Sequence, residues 1–271
     1  MANDMKLGKS SSEEVGQHLS ALKSDGFTIL RGHFDSTFMA RYKRILETLY
    51  RQRVEEHGPL YPDGVGSTER LLLNLQAKHD IFLDTLSDPL ILAIVGFCLR
   101  EGSYKCSESF VLSQYTARDP HFGAARQQMH VDARYVGAPF PLCVVSLLAV
   151  DDLLPETGAT WVVPGSHRRL EYPPDGVYPN DAVQLSMNSG DVLLFDGGLW
   201  HGGGAKQLEI DRWVAIATFS RWFLKQSFDI PSTFSEIQKS RLSAMLKEIL
   251  GFNCITPNDE LKRVRARSKA D

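Results

Sequence analysis

The chain has 271 residues, 43% hydrophobic and 23% charged, and its 30 basic against 33 acidic side chains leave a formal net charge of −3. This is a globular composition with enough length for a sizeable core, and the charge balance gives no reason to expect nucleic acid. No run of 18 apolar residues exists to span a bilayer, so no membrane partner is expected.

The N-terminal "MANDMKLGKSSSEE" lacks the apolar centre of a secretory signal and reads as a flexible arm over residues 1–12. The four cysteines, at 98, 106, 143 and 254, form no Cys-x-x-Cys pair and are too sparse for a disulfide framework. A cytoplasmic location is the expectation. Residues 13–100 read as a helical N-terminal portion. Ser11 and Glu14 have the spacing of a capping box, and Val15, Leu19 and Leu22 then share one helical face until Gly26. "FTIL" follows as a short strand. A second helix is predicted over 36–56, with Phe38, Tyr42, Ile45 and Leu49 at helical spacing and Asp35 at the N-cap position. The segment 87–99 opens a third helix, with Pro89 in its first turn, where a missing N–H does no harm.

From about residue 105 to 223 the texture changes to short β-rich runs: "ESFVLSQY", "RQQMHVDARY", "LCVVSLLAV", "TWVV", "AVQLSM", "DVLLF" and "WVAIATFSRWF". Turn signals such as "PETG", "PGSH", "NSGD" and "HGGG" separate most of them, and strands in succession without helices indicate an antiparallel sandwich or jelly roll. A last amphipathic helix is predicted over 232–250, using Phe234, Ile237, Met245 and Leu246. The basic tail 258–271 reads as a solvated end, with a homodimer contact or an anion site as the alternative. No repeat or linker divides the chain. The expectation is one domain over 1–271, mainly β with flanking helices.

Two stretches carry chemistry. In "QQMHVDARY", read as a strand, His130 and Asp132 share a face and converge on one point. The spacing alone is weak, since a chain of this composition contains about one His-x-acid by chance. His33 and Asp35 repeat it, and there a turn and a helix cap explain both residues. In "GDVLLFDGGLWHGGG", His201 follows an apolar strand and lies between glycines that let backbone approach a ligand closely. Together His130, Asp132 and His201 form a two-histidine, one-carboxylate set, the facial triad that holds non-haem Fe(II) and leaves coordination positions open. Arg212, eleven residues beyond His201, offers a planar fork for a carboxylate. The competing reading is a surface salt bridge with Asp211 or Glu209.

"HVD", "TGATWVVPGSH" and "GDVLLFDGGLWHGGG" with Arg212 resemble, in order, the motifs of the phytanoyl-CoA dioxygenase family of Fe(II)- and 2-oxoglutarate-dependent oxygenases, in its natural-product tailoring form. The resemblance covers about residues 105–223. It implies a double-stranded β-helix (jelly roll, cupin-like) with iron on His130, Asp132 and His201, and 2-oxoglutarate on Arg212, with Thr160, Gln127 and Arg70 as further contacts. Strict strand alternation would instead put Gln128 on the face of His130. O2 would be the third reactant, and succinate and CO2 the co-products.

Phe122, Tyr135, Phe140 and Trp200 are candidates to line the pocket of a small-molecule substrate, each also explicable as packing. His167 in "PGSH" is a possible fourth ligand or a turn residue bonded to backbone, and Asp196 either orients a ligand or caps its turn. A halogenase reading conflicts with Asp132, which fills the position a halide would need. An acyl-CoA hydroxylase and a non-catalytic cupin-like metal-binding module are the remaining rivals. The segments expected at the pocket mouth hold four arginines, at 70, 118, 126 and 134, and no lysine, which favours a free, largely apolar substrate over a coenzyme A thioester.

Overall fold

The computed structural model describes residues 9–61, 64–102, 110–133 and 135–254, with side chains from residue 12 onward. In chain order the elements are α1 (Lys9–Asp25), β1 (Phe27–Leu30), α2 (Ser36–His57), β2 (Glu69–Leu72), α3 (Asp80–Leu86), α4 (Pro89–Arg100) and β3 (Phe110–Pro120). Then come β4 (Cys143–Ala149), β5 (Thr160–Val162), β6 (Val183–Gln184), β7 (Val192–Asp196), β8 (His201–Gly203), β9 (Val214–Arg221), α5 (Glu236–Arg241) and α6 (Ala244–Ile249). The strands form a six-stranded sheet in the order β1-β7-β4-β9-β3-β2 and a three-stranded sheet in the order β6-β5-β8. All neighbours are antiparallel.

Side-chain alternation divides the core into two layers. Val144 and Leu148 of β4, Val192 and Leu194 of β7, and Ala215, Ala217 and Phe219 of β9 face the helices. Their sequence neighbours Val145, Leu147, Leu193, Phe195 and Val214 turn the other way and pack with Ala159 and Val162 beside the small sheet. Both faces of these strands are covered, so β4 and β7 read as unbroken apolar runs rather than as alternation. The apolar α3 and α4 are core helices: Ile81, Phe82, Ile94 and Val95 are fully buried. No single helix among the described residues is long and apolar enough to cross a membrane.

Local signals set the helix ends. Asp35 accepts from the Phe38 N–H at 2.8 Å and caps α2. Asp88 caps α4 through the Ile91 N–H at 2.9 Å and pairs with His33 Nε2, also at 2.9 Å. The second His-x-Asp is therefore a turn and a cap. Gly26, at φ +85°, ends α1.

Four expectations change. α1 starts at Lys9, inside the expected arm, so Ser11 falls within the first turn rather than before it. "ERLL" (β2) is a strand that its polar first half had concealed. The described residues of 126–135 form no continuous strand: among them only His130 is bridged, because this segment leans on the glycines of β8 instead of joining a ladder. The helix expected over 232–250 is two short helices, because Leu242 is extended and Ser243 accepts from the Leu246 N–H at 3.2 Å to start α6 afresh. Ile237, expected in its core face, is exposed. The basic tail lies outside the described residues.

The turn before β7 depends on one glycine. Gly190 has φ +92°, bonds Ala149 O and Phe34 N through its backbone, and a Cβ there would stand 2.1 Å from Phe34 O. Gly190→Ala is expected to lower unfolding free energy by more than about 1 kcal/mol, measured by denaturant unfolding, because both the conformation and the space are denied to alanine.

Candidate active site

The site is assembled from two chain segments held by backbone hydrogen bonds. The His130 N–H donates to His201 O at 2.8 Å, and the His201 N–H donates back to His130 O at 3.0 Å. Two residues on, the Asp132 and Ala133 N–H groups both donate to Gly197 O at 2.8 Å. The irregular segment 127–133 is thus fixed against the β7–β8 turn and β8. Glycine makes the close approach feasible. A Cβ on Gly197 would lie 2.1 Å from Cys143 Sγ, and one on Gly202 would lie 3.1 Å from Gln128 O. The "HGGG" glycines therefore admit the chain's own Gln127–Gln128 backbone, where a ligand had been expected.

This docking brings His130, Asp132 and His201 together, with one donor atom from each lying within 4.8 Å of the others. His201 Nε2 is 3.6 Å from Asp132 Oδ2, and His130 Nε2 is 4.0 Å from Asp132 Oδ1. Each imidazole donates its Nδ1–H to a backbone carbonyl, His130 to Gln128 O at 3.0 Å and His201 to Leu199 O at 2.9 Å. These bonds select the tautomer in which Nε2 carries a free lone pair, as a metal ligand requires. Burial lowers the His201 pKa, which also keeps that ring neutral at neutral pH. The donor set fits a divalent transition metal, and among the described residues no fourth histidine, cysteine or carboxylate joins it.

Arg212 is 4% exposed and pairs with neither Asp211 nor Glu209, so the surface salt-bridge reading fails. It lies two residues before Val214, the first residue of β9, and alternation turns it toward the same side as Val214 and Ile216. One Nη2–H donates to Gly158 O at 2.6 Å, while Nε is buried with no partner. Burial pulls its pKa down to about 10, so it remains charged at neutral pH. A buried cation with an unused N–H is costly unless an anion completes it. Gly158 leads into β5, where Thr160 is buried opposite Gly203, and Val162 is opposite His201. Arg212 thus contacts the turn that leads into β5, and β5 pairs with the strand that bears His201.

The other predicted residues separate. Gln127 Oε1 accepts from the Gly203 N–H at 2.9 Å, so this side chain braces β8. Arg70 is bound to Asp119, with Nε to Oδ2 at 2.8 Å, and to Asp211, and its guanidinium lies 4.7 Å from the Trp213 ring. Both of its charge partners belong to the protein, which removes it from the cosubstrate set. Phe122 and Tyr135 are exposed. Phe140 instead packs on Arg221, 4.0 Å from its ring centroid, against the end of α4, and Trp200 is core, packed with Met129 and Val163. His167 bonds the Lys23 backbone and lies against Gly26, outside the triad. Asp196 caps its own turn, accepting from the Gly198 N–H at 2.8 Å, and burial raises its pKa to about 6.

The phytanoyl-CoA dioxygenase family matches residues 22–212. The chain belongs to this family. Other family relatives include an uncharacterised protein of Mycobacterium tuberculosis, 28% identical over 88% of this chain and 87% of its own length. A dioxygenase of Talaromyces verruculosus is 29% identical over 72% of this chain and 69% of its own. Among solved structures, HygX from Streptomyces hygroscopicus with nickel and 2-oxoglutarate bound aligns at TM-score 0.62 and 19% identity, covering 78% of this chain and 88% of HygX. The epimerase SnoN from nogalamycin biosynthesis aligns at TM-score 0.60 and 18% identity, covering 78% and 82%. At these identities the two structures establish the shared jelly-roll fold of this dioxygenase.

Replacing any one of His130, Asp132 and His201 by alanine is expected to reduce Fe(II) binding by at least about tenfold and turnover to background, with the melting temperature little changed. Metal titration with circular dichroism checks both. His33→Ala, which alters only the ion pair to Asp88, should retain Fe(II) binding and activity.

Proposed function

We propose that this dioxygenase uses Fe(II), 2-oxoglutarate and O2 to oxidise a small, largely apolar natural-product intermediate. The observation that carries the reading is the three-donor metal set, and the buried Arg212 guanidinium with its unpartnered Nε supports it. His130, Asp132 and His201 would hold the iron through Nε2, a carboxylate oxygen and Nε2. Arg212 would take the distal carboxylate of 2-oxoglutarate in its planar fork, with the Thr160 hydroxyl beside it. Iron with these co-reactants supplies the oxidising chemistry and releases succinate and CO2. The chain's own contribution is orientation and exclusion of water. Gln128 and Leu199 carbonyls hold the two imidazoles, and Val145, Leu147 and Phe195 keep the neighbouring interior apolar.

The state of the mouth arginines supports a free substrate over an acyl-CoA. Arg70 and Arg118 are committed to Asp119, Asp211 and Glu69, and Arg126 stacks 3.9 Å from the Tyr178 ring centroid. Arg134 lies outside the described residues. Exposed Tyr135, Leu170, Tyr172 and Val177 add apolar surface instead. The two solved structures point the same way: SnoN belongs to nogalamycin biosynthesis, and HygX has also been solved with hygromycin B bound.

Arg212→Ala is expected to weaken 2-oxoglutarate binding by roughly ten- to a hundredfold, since a hydrogen bond to a charged group contributes about 1.5–3 kcal/mol. Arg212→Lys should recover part of that loss, and Fe(II) affinity should not move; anaerobic calorimetry measures all three. Unchanged cosubstrate affinity in both variants would remove Arg212 from the site. For the substrate class, matched free and thioester compounds are compared by the succinate they release. Stimulation by the acyl-CoA alone would favour a lipid-oxidising hydroxylase, and no succinate with any substrate would favour a metal-binding module without turnover.

A further inference from the structure

Between His201 and Arg212 the chain leaves β8 and crosses an exposed bend before β9, with Glu209, Ile210 and Asp211 all exposed. One residue of this connection is driven into the protein. Lys206 is 5% exposed, and its ammonium donates to Asp119 Oδ1 at 2.8 Å, the carboxylate itself being only 1% exposed. The same oxygen accepts the backbone N–H of Arg212 at 3.2 Å, and Oδ2 accepts from Arg70 Nε at 2.8 Å. Asp119 thus binds the connection at two places, once through the Lys206 side chain and once through the Arg212 main chain. The Lys206 backbone is also secured, its N–H donating to Ala124 O and its carbonyl accepting from Gly123 N, both at 3.0 Å.

Isolated buried charges are expensive, and a buried ion pair rarely stabilises a fold more than apolar residues of the same volume would. A lysine in this place therefore calls for a reason other than stability. The charge balance supplies one. Asp119 satisfies Lys206 and shares Arg70 with Asp211, and it bonds only the backbone of Arg212. The Arg212 guanidinium stays buried beside these groups with Nε unpartnered. One carboxylate thereby fixes the Arg212 main chain and faces its guanidinium electrostatically, yet forms no ion pair or hydrogen bond with that guanidinium.

We propose that Asp119 and Lys206 are positioning residues, a buried ion pair that ties the β8–β9 connection to the end of β3 and sets the Arg212 guanidinium for the distal carboxylate of 2-oxoglutarate. The inference rests on the cosubstrate reading given above. It assigns function to a pair whose partners are 87 residues apart in sequence.

The test compares wild type, Asp119→Asn, Lys206→Met and the double variant, each with Fe(II) under anaerobic conditions. The readouts are 2-oxoglutarate Kd by calorimetry, the metal-to-cosubstrate charge-transfer band, Fe(II) Kd and melting temperature. Each single variant should raise the 2-oxoglutarate Kd by about tenfold and leave Fe(II) Kd within about twofold, and in turnover the effect should fall on KM for 2-oxoglutarate more than on kcat. The singles strand a buried charge or its partner, so their melting temperatures should also fall. The double variant separates the two roles. It should regain most of the lost melting temperature while its 2-oxoglutarate Kd stays about tenfold high. Recovery of both together would make the pair merely structural and overturn the proposal, as would single variants with wild-type Kd. A wild type that binds Fe(II) but no 2-oxoglutarate would overturn the cosubstrate reading itself.

Discussion

The paired hydrogen bonds between the backbones of His130 and His201 are the constraint on which the site depends. One partner belongs to a strand and the other to a segment with no regular structure, so neither element alone could define the angle between the two imidazoles. Once the bridge forms, the rings stand 4.3 Å apart between centroids, and Asp132 is carried to the same point by its own bond to Gly197. The Nδ1 bonds to Gln128 O and Leu199 O then fix each ring within its own segment. Backbone contact sets the position of the three candidate donors, and side-chain contact to backbone sets the tautomer of the two imidazoles.

A second constraint is electrostatic. The interior between the sheets is apolar around Val145, Leu147 and Phe195, yet it receives the Arg212 guanidinium. An unmatched charge in such surroundings opposes folding unless a neighbour compensates it. The neighbouring carboxylates, Asp119, Asp211 and Glu69, are each engaged by another cation: Lys206 and Arg70, Arg70 and Lys43, and Arg118 respectively. Among the described residues, these carboxylates are paired with other cations, and the Arg212 Nε is left without a hydrogen-bond partner. Such a concentration of cost at one place is what a binding site requires, because an interaction completed only on binding contributes wholly to affinity.

The helical layer covers the face of the large sheet that turns away from the small sheet. Tyr42, Phe82 and Tyr115 form an edge-to-face cluster across the interface of α2, α3 and β3, and the Tyr42, Tyr115 and Thr85 hydroxyls satisfy one another at 2.7–2.8 Å. With that face filled and its polar groups paired, β3 and β9 present Asp119 and Arg212 from a rigid base.

The candidate metal donors and Arg212 were legible in the sequence because their types and order match a family pattern. Two histidines and an aspartate are weak evidence by spacing alone, but in ordered motifs with a following arginine they match the family resemblance, which implies a metal and an anion. The helix cap at Asp35, Pro89 in the first turn of α4 and the strands β4, β7 and β9 were legible as well, since such signals act within one turn and buried strands show as apolar runs. What the sequence could not carry is contact between distant segments. Alternation along "QQMHVDARY" assumed a strand, but the register there is set by Gly197 and Gly202, about 65–75 residues away, whose missing side chains admit the segment. Gln127, Arg70 and Phe140 went to protein partners for the same reason: a side chain bonds whichever group the fold brings near it. Lys206 and Asp119 gave no local signal at all, a lysine in a loop and an aspartate near a strand end being ordinary on a surface. Only the packing of β3 against β9 and the β8–β9 connection makes them a buried pair, because burial is a property of the assembled molecule.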